Sequence, residues 1–171
     1  MSVKLKLNLP SSVWTAQDSS ILALNTLASI KLRTSKGISS ENKKFKEYST
    51  NPLYVSFKGA RLKPKGGVKS STGDSVFYQD GYKQYKHDSR KRGKSSKSAE
   101  VDLVLSGQLM NNLVVLEATN TGFKIGLTKH VRHYGYDVNL ERPFIGLTKK
   151  DTQILIDSVA IDIKNKLEAK R

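Results

Sequence analysis

The sequence predicts an α+β fold: a small antiparallel sheet flanked by an N-terminal helix and a long C-terminal helix, with an extended basic loop region. Three patterns carry that prediction. Residues 13–33 place apolar side chains three, four and seven apart. Residues 101–127 alternate with period two around a turn signal, and residues 148–169 repeat apolar positions at i+4 behind a capping sequence. At 171 residues the chain has the size of one domain, able to bury a core without metal or disulfide staples. Residues 34–100 are expected to contain basic, partly mobile loops, and residues 101–169 the best-defined sheet and the terminal helix.

In order, "KLKLNL" alternates Lys4 and Lys6 with Leu5, Leu7 and Leu9, as either a short edge strand or an ordered tail; Pro10, Ser11 and Ser12 punctuate it. "VWTAQDSSILALNTLASIKLR" carries Trp14, Ile21, Leu24, Leu27, Ala28 and Leu32 on the stripe of an amphipathic helix. Ser12 is its candidate cap, Lys31 and Arg33 favour its C-terminal end, and Gly37 stops it. Residues 34–75 are rich in Ser, Lys, Gly and Asn, broken by "LYVSF", whose Leu53, Val55 and Phe57 share one side of a strand. "KPKGG" is a loop and Asp80-Gly81 a turn. "KHDSRKRGKSSKSA" has almost nothing to bury and reads as an exposed, mobile loop.

Beyond it, Val101, Leu103 and Leu105 face one way, and Leu109, Met110 and Leu113 share one side of a helical turn. "VVLEAT" and "FKIGL" are strands joined by Asn120-Thr121-Gly122, with Phe123, Ile125 and Leu127 inward; Tyr134, Tyr136 and Val138 continue the period of two. Thr148 with Asp151 approximates a capping box. Leu155, Val159, Ile163 and Leu167, broadened by Ile156 and Ala160, then stripe a helix about 33 Å long.

Lysine and arginine number 30 against 15 Asp plus Glu, a net charge of +15. From Lys31 to Lys97 stand 18 basic and 5 acidic residues, while the remainder of the chain is nearly balanced at 12 to 10. Such a field attracts polyanions and acidic partners, and opposes self-association unless other contacts outweigh it. With no cysteine, disulfides, thiolate chemistry and cysteine zinc sites are excluded. "MSVKLKLNLP" lacks the apolar run of a signal peptide, and no stretch has membrane-spanning length, so a soluble, intracellularly made protein without membrane contact is expected.

Lys58, Arg61, Lys63, Lys65 and Lys69 form one basic patch, and Arg90, Lys91, Arg92, Lys94 and Lys97 another. These are the candidate contacts to DNA or to an acidic partner, on a 58–97 region expected to project from the sheet. Tyr78, Tyr82 and Tyr85 lie between the patches, spaced either to stack on bases or to pack one face of a short helix. If DNA is met, phosphate contact dominates and sequence selectivity is slight. No zinc-finger, Gly-x-x-Gly clamp or aromatic RNP motif is present.

Nothing in the chain assembles a catalytic constellation. His130 and His133 stand at i, i+3, but Asp137 and Glu141 do not complete a metal-ligand spacing, and His87 is remote. Ser106-Gly107 has no assigned base, "GFKIG" has neither dinucleotide nor phosphate-loop spacing, and "SSTGDS" at 70–75 is either an anion cradle or a plain turn. Asp18, Asp102, Glu117, Asp151, Asp157 and Asp162 are scattered over different elements, the terminal-helix pair Asp157 and Asp162 on its wet face. No enzyme activity, cofactor or metal is expected.

"ERPFIGLTKKD" links the last strand-like text to the terminal helix. Pro143 sets its own φ and pushes Arg142 towards an extended conformation. Phe144, Ile145 and Leu147 are then placed to fill the corner between sheet and helix, with Gly146 permitting a close turn. This reads as a structural elbow, while the Arg142 fork suits a partner's carboxylate.

The order Leu105-Ser106-Gly107-Gln108-Leu109, strand pair, "VRHYGY", Arg142-Pro143-Phe144-Ile145-Gly146-Leu147 and long final helix resembles the tail-completion, virion-morphogenesis (head–tail joining) proteins of tailed bacteriophages. "YKQYKHDS" at 82–89 is similar to a lysine-containing loop upstream in that family, and the resemblance covers about residues 75–165. It departs at 130–140, where only His133, Tyr134 and Gly135 echo the family's aromatic series. The resemblance implies a non-catalytic α+β subunit of a ring at the head–tail joint (neck or connector) or the tail terminator. Its partners would be copies of itself, other neck, portal-adaptor or tail proteins, and double-stranded DNA, in a virion made in the host cytoplasm.

Overall fold

A computed structural model describes residues 2–9, 13–90 and 101–169. In chain order the elements are β1 (Ser2–Lys6), α1 (Ala16–Ser35), β2 (Leu53–Ser56), β3 (Val68–Lys69), β4 (Ser75–Tyr78), α2 (Gly81–Ser89), α3 (Gln108–Asn111), β5 (Leu113–Thr119), β6 (Gly122–Leu127), α4 (Arg132–Glu141) and α5 (Lys149–Glu168). The fold is α+β with a helix near each end, as the patterning predicts. Its strands, however, divide between two antiparallel sheets of order β1-β6-β5 and β2-β4-β3.

The first sheet grows from the Asn120-Thr121-Gly122 reversal. β1 is an edge strand rather than a tail, with Val3 opposite Ile125 and Leu5 opposite Phe123. Gly122 permits this pairing: its φ is +142°, and a Cβ there would lie 2.0 Å from the Leu5 carbonyl oxygen. The second sheet arises within residues 34–90, which are therefore more ordered than their composition suggests. Its inner face buries Val76 and Tyr78 against Tyr85 of α2. Asp80-Gly81 is the turn into that helix, with Gly81 at φ +59° where a Cβ would lie 2.2 Å from the Asn51 carbonyl oxygen. "SSTGDS" is the plain turn, closed by Gly73 N–H donating to Ser70 at 2.9 Å.

α1 lies across β5 and β6, but on a different face from the expected one. Its buried side consists of Ser19, Leu22, Ala23, Thr26, Ile30, Arg33 and Thr34. Polar residues can occupy it because their hydroxyls are satisfied locally: Thr26 and Thr34 donate to the Leu22 and Ile30 carbonyls, both at 2.7 Å, and Ser19 accepts from the Trp14 indole at 2.8 Å. Ile21, Leu24, Ala28 and Leu32 of the sequence stripe face solvent instead. Thr15 is the cap, forming a reciprocal capping box with Asp18; Ser12 lies outside the described residues.

α5 runs antiparallel to α1, and each helix is closed by the other. Both capping boxes place an aspartate at the third helical position, and each aspartate pairs with a cation in the last turns of the opposite helix. Asp151 meets Arg33, and Asp18 meets Lys166, both at 2.5 Å. Acid at a helix N-terminus and base at a C-terminus also match both macrodipoles. Burial works to raise the Asp18 carboxyl, but hydrogen bonds from Lys166 and Thr15 outweigh it and hold the group below its ordinary 3.8.

A folded value below the unfolded one means that this stabilisation is present above the unfolded pKa and is lost as pH falls through the folded value. Asp18→Ala is expected to cost about 1 kcal/mol at neutral pH. In thermal melts the gap to wild type should close as pH falls below the ordinary 3.8 and through the lower folded value. A gap that stays constant into acid would show that the carboxylate charge is not the source.

Residues 132–141 form α4 instead of continuing a strand. Tyr134 and Val138, two apart from Tyr136 in the apparent alternation, are also four apart from each other, and that helical spacing is the one the core uses. Tyr136 is turned out. The segment after α4 is the predicted elbow. Phe144 is fully buried, the Phe144 and Ile145 N–H groups donate to the Asn139 side chain at 3.0 and 2.8 Å, and Ser40 N–H donates to the Pro143 carbonyl at 2.7 Å.

Candidate functional site

A cleft of about 670 Å³ opens between the second sheet and the segment that carries α3 together with α4. β2, an outer strand of its sheet, forms one wall together with Tyr48, Tyr82 and Tyr85. Leu103, Leu105 to Leu109, Tyr134, Val138 and Arg142 form the other. Aromatic rings tie the first wall together, with centroids 5.2 Å apart for Tyr48–Tyr82, 5.9 Å for Tyr82–Tyr85 and 5.5 Å for Tyr78–Tyr85. Of the two roles open to Tyr78, Tyr82 and Tyr85, the structure therefore takes packing. Tyr78 and Tyr85 are buried, and their hydroxyls donate to the Lys65 and Leu62 carbonyls at 2.8 and 2.7 Å. They fasten the backbone of the loop that displays the lysines.

Beside the cleft lies a buried charge cluster that sequence reading missed. Lys86, expected on an exposed loop, is on α2 and buried; its ammonium donates to the Tyr48 hydroxyl at 2.8 Å and to the Asp102 carboxylate. Arg90 pairs with the other Asp102 oxygen at 2.9 Å, and Val104 N–H donates to Asp102 at 3.0 Å. Burial lowers the Lys86 pKa against the opposing pull of Asp102. Burial also works to raise Asp102, but the bonds from Lys86 and Val104 prevail and hold it below its ordinary range. Burial and the Asp102 charge push the Tyr48 hydroxyl upward, so it stays protonated. Leu103, held by its N–H to Tyr48 Oη at 3.2 Å, adopts φ +53°, an uncommon conformation for a leucine, on the lining of the cleft.

Among the predicted contact residues, Lys58, Lys63, Lys65 and Lys69 are exposed. Arg61 is exposed too, with its guanidinium carbon 3.6 Å from the Tyr134 ring centroid. Arg90 is not a free contact, because Asp102 holds it; Lys91, Arg92, Lys94 and Lys97 lie outside the described residues. The family-like positions converge: Leu105, Ser106, Gly107, Leu109 and Arg142 all line the cleft, while Pro143 and Phe144 build the elbow behind it. Arg142 does not offer its fork to a partner. It donates to the Lys46 and Glu47 carbonyls at 2.9 and 3.0 Å and pairs with Glu141.

Tyr54, 64% exposed, pairs with the half-buried Phe77, opposite each other on β2 and β4 with centroids 4.8 Å apart. Alternation in "LYVSF" marks Tyr54 as the outward residue, a signal available before the structure. Tyr48 and Asp102 gave no such signal. His130 and His133 are exposed, and among the described residues no three His, Asp or Glu side chains gather as a metal site. Among the same residues no helix is long and apolar enough to cross a membrane. Compared with protein-family models, with curated protein sequences and with solved structures, the chain finds no match in any of the three.

Proposed function

We propose that the chain is a non-catalytic structural subunit of a phage head–tail connector, neck or tail-terminator ring, joining capsid and tail. The observation that carries the reading is the outer surface of the α1–α5 pair. Ile21, Leu24 and Leu32 share one side of α1, and Ile154 and Ile161 one side of α5, and each is more than half exposed; Ile156 and Leu167 are as exposed on another side of α5. A stripe opposite α1's core face serves no internal packing; it suits a subunit whose burial is completed by neighbouring copies. The order of motifs from Leu105 to Leu147 supplies the phage assignment. The +15 charge supplies a reason for the free chain to stay apart until other particle components offset it.

The test is assembly with Leu24→Glu and Ile161→Glu. Both sites are exposed, so the thermal midpoint should stay within about 0.5 kcal/mol of wild type in stability terms, while incorporation into particles falls and heads and tails remain unjoined. Normal joining, or a particle copy number that fits no ring, would overturn the reading.

A second reading, sequence-nonspecific nucleic-acid binding, is favoured by the open face of the second sheet. Tyr54 and Phe77 stand there beside a loop that carries Lys58, Lys63, Lys65 and Lys69 and no acidic residue between Asn51 and Gly73. If duplex DNA is held through these four lysines, the affinity should fall with salt with a log–log slope of about −3 to −4. A salt-independent mobility shift, or none, would remove this reading.

A further inference from the structure

We infer that the cleft binds an extended acidic peptide segment of a partner protein, added as a further strand along the free edge of β2. This goes beyond the assembly role and does not rest on it. Among the described residues β2 pairs with β4 alone. Just past the strand, Phe57 N–H donates to the Asp74 carbonyl at 3.0 Å. Antiparallel alternation therefore gives the backbone groups of Leu53 and Val55 to β4 and turns those of Tyr54 and Ser56 to the open edge. Those two residues line the cleft. An unpaired edge facing a walled cleft, rather than open solvent, is the arrangement used for strand addition: main-chain hydrogen bonds hold the segment, and pockets select alternate side chains.

The opposite wall sets the chemistry of the occupant. Leu103, Leu105, Leu109 and Val138 are apolar and suit alternate β-branched or aliphatic side chains. The Arg61 guanidinium carbon sits over the Tyr134 ring and Arg61 makes no ion pair among the described residues, while the Tyr134 hydroxyl is buried without a hydrogen-bond partner there. Glu141, the carboxylate on the lining, is already neutralised by Arg142 at 3.0 Å. The cleft thus presents an unspent guanidinium, two residues' worth of unpaired strand edge and an apolar wall. A carboxylate-bearing strand satisfies all three. A second copy of this chain brings +15 towards Arg61, and a nucleic acid leaves the edge amides and the leucines unmatched.

The test uses the full-length, nitrogen-15-labelled protein and a blocked hexapeptide of alternating valine and glutamate. The expected result is saturable amide shifts centred on Tyr54 and Ser56 and slowed exchange of both amides. Arg61→Glu, at an exposed site, should weaken binding by roughly tenfold or more. The same peptide N-methylated at alternate nitrogens, and a lysine-for-glutamate version, should not bind over the same range. Absence of shifts at Tyr54 and Ser56, equal binding by the lysine peptide, or the same shifts produced by an oligothymidine would each overturn the proposal. Because the measurement is on the free protein, its failure leaves the particle-joining test untouched.

Discussion

Arg33→Ala is expected to cost about 3–5 kcal/mol, the range for leaving a buried charge without its partner. Arg33 is only 9% exposed and ties three separate groups to the end of α1: the Asp151 carboxylate, the Phe144 carbonyl and the Gly146 carbonyl, the last two at 2.9 Å each. Truncation strands a carboxylate inside the cap of α5 and removes the donor from two elbow carbonyls, so the start of α5 loses its anchor. Arg33→Lys should recover only part, because one ammonium cannot reproduce a fork that spans a carboxylate and two carbonyls. Urea unfolding followed by far-ultraviolet circular dichroism measures this directly. A loss below about 1 kcal/mol would mean that Phe144 burial holds the elbow without help.

Asp102→Ala is expected to be comparably destabilising, about 3–5 kcal/mol, because it leaves Lys86 buried and Arg90 mostly buried with no counter-charge. The double variant Lys86→Met with Asp102→Leu should recover part of that loss, since it removes the buried ammonium together with its carboxylate and leaves only Arg90, 16% exposed, without a counter-charge. The pH dependence has a definite sign. Asp102 titrates lower in the folded chain than its ordinary 3.8, so its contribution is intact above that pH and disappears as pH falls through the folded value. Wild type should therefore lose stability in acid more steeply than the double variant. Parallel acid profiles would show that the cluster is not coupled to folding. The Tyr48 hydroxyl, which takes a bond from Lys86 and from Leu103 N–H, makes tyrosine fluorescence a second readout of the same event.

How much of this was legible beforehand differs from element to element. The β5–β6 hairpin, the α3 turn and α5 were readable because their signals are local: a Thr-Gly reversal, a short apolar run and a Thr-x-x-Asp cap. The elbow was equally plain, since proline, phenylalanine and glycine act on their own backbone and immediate surroundings. α4 was misread because Tyr134 and Val138 satisfy both a period of two and a spacing of four. The candidate site was half visible: motif order marked Leu105 to Leu109 and Arg142, and alternation pointed Tyr54 outward. The partners of Lys86 were invisible, because Tyr48 and Asp102 lie 38 and 16 positions away along the chain.

Composition and local pattern alone therefore specified the class of fold, most helix and strand segments, the elbow and the placement of charge in the middle of the chain. They did not say which side of α1 would meet the sheet. That helix carries two apolar stripes, and packing chose the one containing threonine and arginine: the threonine hydroxyls bond within the helix, and α5 and the elbow bring Arg33 acceptors from more than 100 residues downstream. A residue's periodicity is encoded among its neighbours in sequence; whether it is buried, and what neutralises it there, depends on surfaces that meet only after the chain has folded.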